Sequence, residues 1–254
     1  GLALAAKAAK INGVYSAMAL LDLDTAKAKK YTDTKSVKEE SGYTSPFCYP
    51  LWPCDRVGEY ILAKSAVAGA MIQYMASDNE DVPNQSPSNH LLGVGGQCLE
   101  DGTEVYLDQD QANTVNGYGV TTAINQNGYR LWGNYTGAYP ASSDAKDIWF
   151  AVRRMFSWQG NNFIQTYFDE VDDPMNNVLV QSVVDSENIR CSAYAPKYWA
   201  GASIEYKSDD NPKTAILAGT MKFRQHIAPY TPAQEIVDII DYDTDTLAAA
   251  VGGN

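Results

Sequence analysis

The sequence predicts a mixed fold: an α/β region over residues 1–107, an α+β region over residues 108–228, and a C-terminal linker and arm over residues 229–254 that carries one extended strand. Three observations lead there. Strand and helix patterns alternate through the first third of the chain. A β-hairpin signature occupies residues 119–140, followed by long helical patterns and two alternating strands. A proline cluster then detaches a last apolar stretch.

Length and composition set the frame. The chain has 254 residues, 45% of them hydrophobic and 20% charged, enough for one large core or two modest ones. No apolar run approaches the roughly 20 residues that span a bilayer, so membrane insertion is not expected. The net charge of −12 opposes a phosphate-backbone partner, because nucleic-acid affinity comes mainly from Lys and Arg. The basic runs at residues 27–30 and 153–154 are too short to reverse that. Cys48, Cys54, Cys98 and Cys191 have no C-x-x-C spacing and no histidine at ligand distance, which predicts reduced thiols in a cytosolic setting and no metal. The chain starts GLALAAKAAK, with no initiator Met and no signal-peptide organisation, and is expected to be a fragment or processed product.

In chain order, residues 2–11 are alanine-rich and predict a helix, and residues 14–23 a buried strand. The polar residues 24–45 read as an exposed connection. Residues 43–52 form an aromatic strand that Pro46 and Pro50 make irregular or place at an edge. A helix is predicted over residues 57–75, with Ile61, Leu62, Met71 and Tyr74 as bulk beside small residues. Residues 77–97 are loop; the GVGG at 93–96 lacks the spacing and the lysine of a phosphate cradle. Residues 103–107 read as a short strand. Asp108 with Gln111 three residues later predicts a capping box that opens a helix ending at Gly117.

The hairpin is the clearest element. Residues 120–124 are β-branched, Asn125-Gln126-Asn127-Gly128 is a turn cluster, and residues 129–132 form the return strand. Tyr129, Trp132, Tyr135 and Tyr139 are expected in core or subunit packing. The sequon at Asn134 is read as chance. Past Pro140, caps at residues 142–144 open a helix whose apolar stripe runs to Val171, with a kink expected at residues 160–162. Asp173-Pro174 predicts the start of another helix, followed by strands at residues 202–207 and 221–228 joined by a helical turn at 212–219.

Pro229 and Pro232 impose an extended linker, the arm hinge, after which Glu235, Ile236, Val237, Asp238, Ile239, Ile240, Asp241 and Tyr242 read as one more strand, followed by a small-residue tail. That strand either pairs within its own sheet or leaves its domain; these residues alone leave both open.

Enzymatic chemistry finds little support. His90 lies in a Ser/Pro/Asn loop and His226 in a strand pattern, and no motif supplies a nucleophile. Asp169-Glu170 and Asp172-Asp173 offer paired carboxylates for glycoside hydrolysis, with Tyr and Trp as sugar platforms, but their positions suit helix caps. Asp241, Asp243 and Asp245 begin like a calcium loop, yet Thr246 and Gly252 stand where glycine and glutamate are required. The alternative from another class is a carbohydrate-binding or glycoside-hydrolase-like protein; a third is an oligomeric shell protein.

SPSNH at residues 86–90 and the segments DGTEVYLDQDQAN, GYRLWGNYTGAYP, DPMNNVLVQSVVDSENIR, IEYKSDDNP and TPAQEIVDIIDYD follow one another along the chain and carry a resemblance. Over residues 43–242 the chain resembles the tail sheath proteins of contractile bacteriophages and related contractile injection systems. The resemblance implies a non-enzymatic structural subunit without a cofactor, the inner, C-terminal part of a longer chain whose N-terminal arm and outer domains lie before this region. It implies stacked hexameric rings of identical copies around an inner tail tube protein, with baseplate and tail terminator proteins as further partners. It also implies contraction that drives the tube through a cell envelope, and a location in the virion tail, assembled in the host cytoplasm, or in a phage-derived contractile particle. Family arms add strands to a neighbour's sheet, which assigns that role to residues 235–242. Lys213, in the segment joining the last two domain strands, is the candidate tube contact.

Overall fold

The computed structural model describes residues 1–252. Its centre is a mixed sheet. β1 (Ala19–Asp22) runs parallel to β2 (Cys48–Leu51), and β2 continues through a parallel bridge between Leu51 and Thr121 to the hairpin of β6 (Thr122–Asn125) and β7 (Tyr129–Trp132). The junction is held by Thr121 N–H donating to Pro50 C=O at 2.8 Å and Trp52 N–H donating to Thr121 C=O at 2.9 Å. Pro50 has no N–H to give, but its carbonyl is all this edge asks of it. The strand expected to be irregular or at an edge is therefore central and wholly buried.

A second sheet is antiparallel, with β3 (Cys54–Val57) between β4 (Tyr60–Leu62) and β5 (Gly96–Cys98). Gln97 joins the two sheets by donating its side-chain amide to Ala123 C=O at 2.7 Å. The β3–β4 turn displaces the predicted helix start from residue 57 to α3 (Lys64–Asp78). Lys64 is buried there against Asp55, and Asp22 accepts from Ser65 N–H at 2.9 Å.

Helices cover the central sheet. α1 (Leu2–Ala9) seats Ala5 and Ala8 beside Ala19, Leu21 and Cys48, and Phe150 packs with Tyr49, Leu51, Ala68, Ile72 and Leu131. Residues 1–107 and 108–228 share a core, since Leu23, Val37, Trp52 and Val105 pack with Val115 and Val120. Residues 24–45 are not a plain connection: α2 (Thr34–Glu40) buries Thr34, Val37 and Lys38, and because two of these three are polar the face carries no apolar signal in the sequence. Residues 103–107 make only an isolated bridge, Cys98 to Glu104.

α4 (Gln109–Gly117) has the predicted capping box: Asp108 Oδ1 accepts from Gln111 N–H at 2.8 Å, and Gln111 Oε1 accepts from Asp108 N–H at 3.2 Å. Asp144 caps α5 (Ala145–Ile148), and α6 (Phe150–Thr166) then runs unbroken through residues 160–162, because Asn161 faces inward and bonds both backbone groups of Ser16. α7 (Asn177–Tyr194) starts three residues later than expected; Asn176, not Asp173, accepts from Leu179 N–H at 2.9 Å. The acids at residues 169–173 form the intervening turn instead of caps.

A last antiparallel pair, β8 (Trp199–Glu205) and β9 (Arg224–Pro229), leans on α7 and α6 and is linked through α8 (Lys213–Leu217). Its core joins Val82, Met155, Cys191, Tyr198 and Trp199. Residues 230–243 form no regular element. The small-residue tail folds as α9 (Thr244–Ala250), because Asp243 supplies a cap to Thr246 N–H at 2.9 Å and alanine favours helix. Asn254 lies outside the described residues.

Candidate assembly surface

The arm begins at a fixed root. Pro229 closes β9 opposite Trp199, so this half of the predicted hinge belongs to the sheet. Tyr230 Oη donates to Pro196 C=O at 3.0 Å, and four residues on Tyr135 Oη donates to Gln234 Oε1 at 2.6 Å. Between these anchors, Pro232 lies along a polar groove of about 450 Å³ lined by Ser86, His90, Asn116, Trp132 and Asn134. Tyr135 is itself held in a stack, its ring 3.8 Å from Tyr139 and 4.8 Å from Trp149. The aromatic cluster expected in packing thus fixes the point at which the arm departs.

Beyond Gln234, residues 235–242 make no strand hydrogen bonds among the described residues and are exposed, Ile236 at 90% and Ile240 at 87%. Val237, Ile239 and Tyr242 are exposed as well. Four β-branched apolar residues in a run of eight are of the kind found inside proteins, so their exposure here is the unusual feature of this surface. Glu235, Asp238 and Asp241 interrupt the run and keep the isolated segment soluble.

Sheet edges are the complementary feature. Among the described residues β9 pairs with β8 alone and β4 with β3 alone. On the free side of β8 the backbone of Ile204 is occupied by a side chain: Asn188 Oδ1 accepts from Ile204 N–H at 3.0 Å, and its Nδ2 donates to Ile204 C=O at 3.1 Å. Sequence reasoning placed Tyr135 in packing but missed its bond to Gln234, for which no local signal exists, and missed Asn188, whose only signal is a polar residue inside a helical stripe.

The remaining candidates are dispersed. Lys213 opens α8, exposed, directly after Pro212. His90 sits beside Arg130 in the loop between α3 and β5, and burial together with that guanidinium lowers its pKa. His226 bonds Glu205 Oε1 at 2.9 Å, an oxygen that also meets Lys207 Nζ at 2.7 Å; these partners lower the Glu205 pKa. Ser203 stands opposite His226 in the ladder, but no hydrogen bond joins them among the described residues. Among the described residues there is no cluster of three or more metal-ligating side chains. All four cysteines are free, and Asn134 and Thr136 of the sequon are buried.

No family model matches the chain. Curated relatives are tail sheath proteins: it is 27% identical over 197 residues to the major tail sheath protein of Serratia phage KSP20, covering 74% of this chain and 48% of that protein. It is 22% identical over 215 residues to the tail sheath protein of Escherichia phage P2, covering 80% and 52% respectively. The chain spans about half the length of these relatives. Its fold is that of contractile injection system sheaths. The sheath of the PVC extracellular contractile injection system, contracted, superposes with TM-score 0.75 at 17% identity over 90% of this chain and 65% of that one. The contracted helical sheath of the anti-feeding prophage gives 0.72 at 19% identity over 95% and 65%.

Proposed function

We propose, from the premise that this chain's homologues are tail sheath proteins, that it is a structural subunit of a contractile sheath which polymerises around an inner tube and contracts to drive the tube through a cell envelope. The exposed arm is the observation that carries the reading. Residues 235–242 offer main-chain donors and acceptors and apolar side chains on both faces, which strand addition to a neighbouring copy would bury. The unpaired edge of β9 is the acceptor favoured by geometry, because Asn188 already fills the side of β8.

A head-to-tail contact of this kind repeats without closing a dimer and builds helical arrays or stacked rings. In contraction the bodies move rigidly while the arms keep neighbours joined, with Pro232 and its flanking residues absorbing the backbone change. The free energy comes from better contacts in the contracted lattice. Lys213, exposed on α8, is proposed to face the tube. Baseplate and terminator proteins bound the array, and the subunit acts in the virion tail or an equivalent contractile particle without enzymatic chemistry.

Electron microscopy of the complete subunit beside a version ending at Pro232 tests this reading. Regular hollow tubes from the first and dispersed subunits from the second are expected. Tubes from both would refute the arm's role, and glycan binding by a persistent monomer would refute the sheath reading.

A further inference from the structure

We propose that Cys54 and Cys98 form a disulfide, a modification site that closes under oxidising conditions and staples β3 to β5. The two residues are direct partners in the antiparallel ladder. On its other side Cys98 is flanked by bonds from Leu99 N–H to Thr103 C=O and from Val105 N–H to Gln97 C=O, so its own N–H and C=O face β3. Cys54 and Cys98 are therefore a hydrogen-bonded pair, an arrangement with Cα atoms about 5.5 Å apart. Disulfides bridge Cα separations of about 4.4–6.8 Å and Cβ separations of about 3.5–4.5 Å, so closure draws the two side chains of this hydrogen-bonded pair together by up to about 1–2 Å. Directly opposed residues also project from the same face of the sheet. Neither Cys48 nor Cys191 stands opposite another cysteine in the described ladders.

Exposure assigns the order of events. Cys54 is partly exposed and Cys98 is buried. The Cys54 thiolate attacks a low-molecular-weight disulfide such as oxidised glutathione, forming a mixed disulfide and releasing one glutathione thiolate. Cys98, losing its proton to solvent, then attacks the Cys54 sulfur and expels the second. The protein loses two hydrogens, and the oxidant becomes two glutathione thiols.

Burial, followed by the charges of Asp22, Cys98 and Glu100, pushes the Cys54 thiol up to about 11. Thiolate is scarce at neutral pH, so closure is slow there and accelerates about tenfold per pH unit up to pH 9. The closed loop holds about 45 residues, including β4 and α3, and so constrains the unfolded chain substantially.

The test is native incubation of the full chain with oxidised glutathione at pH 7, 8 and 9, read by intact mass and non-reducing peptide mapping. A loss of about 2 Da, a Cys54–Cys98 linked peptide, the tenfold pH dependence and a Tm rise of roughly 5 °C or more that reductant reverses are expected. A glutathione adduct that persists on Cys54, a linkage to another cysteine, or no reaction at pH 9 would overturn the proposal. Cys54→Ser must abolish the Tm rise, and if that variant does not fold, peptide mapping of the unaltered chain decides alone.

Discussion

The side-chain amide of Asn188 holds both backbone groups of Ile204, accepting from its N–H at 3.0 Å and donating to its C=O at 3.1 Å. A residue of α7 thus occupies the place a third strand would take along β8. Asn161 does the same for Ser16, at 2.9 and 2.8 Å. Edge groups closed from within cannot pair with another chain, which leaves β9 as the open side of the two-stranded sheet.

Asn188→Ala is expected to strand the buried Ile204 groups and cost about 1–3 kcal/mol in denaturant unfolding. It also opens a second sheet edge, so light scattering should show irregular self-association. Unchanged stability would mean that the amide closes nothing of consequence.

The Asp55–Lys64 pair is fully buried, and Asp55 Oδ2 has no hydrogen-bond partner among the described residues. Burial pushes the Asp55 carboxyl up, with Lys64 pulling in the opposite direction. Lys64→Met leaves that carboxyl alone and is expected to cost about 3–5 kcal/mol, whereas the double change Asp55→Leu with Lys64→Met recovers most of the loss. Equal destabilisation in both variants would show that the charges are not coupled.

Cys48 gives an alkaline signature. Burial raises its thiol from 9.0 to about 11, the Ser45 and Gly137 backbones and Lys38 pulling it back. The folded pKa lies above the unfolded one, so the stability this group contributes is full below about pH 9 and is lost as pH rises toward 11. Over that window Cys48 accounts for about 2–3 kcal/mol of the decline. Cys48→Ala should flatten the stability curve above pH 9 relative to the unaltered protein; parallel curves would contradict the assignment.

Gly137 is required by close approach. A Cβ there would run into Cys48 Sγ and the Tyr43 and Ser45 carbonyls, two of the three being backbone that cannot yield. Gly137→Ala is expected to lose about 3 kcal/mol or more in thermal or denaturant unfolding. A near-neutral effect would mean that the loop at residues 43–45 shifts freely.

Local chemistry made much of this fold legible. The α4 capping box, the residue 125–128 turn and the alanine-rich α1 each contain their own instruction within four to nine residues. What escaped depends on distant partners. Pro50 reads as an edge signal, but the carbonyl accepting from Thr121 places it at the centre; Thr34, Val37 and Lys38 form a buried face among polar neighbours; and α3 starts late because residues 54–62 pair with one another and with β5. The arm's apolar run was legible, while its anchorage through Tyr135 and Gln234, residues 99 apart, was not.

The arm separates stability from assembly. Val237→Lys with Ile239→Lys alters two exposed positions on one face of the segment and should change monomer stability by less than about 0.5 kcal/mol while abolishing polymerisation. Assembly of this variant at the unaltered concentration would refute a role for those side chains.

The most direct measurement is a cryo-electron microscopy map of the assembled particle at a resolution that separates strands. Residues 235–242 should appear as a strand hydrogen-bonded to β9 of a neighbouring copy, with the body and the Tyr135–Gln234 anchor unchanged. An arm folded onto its own subunit, or left unpaired in the array, would contradict assembly by strand addition.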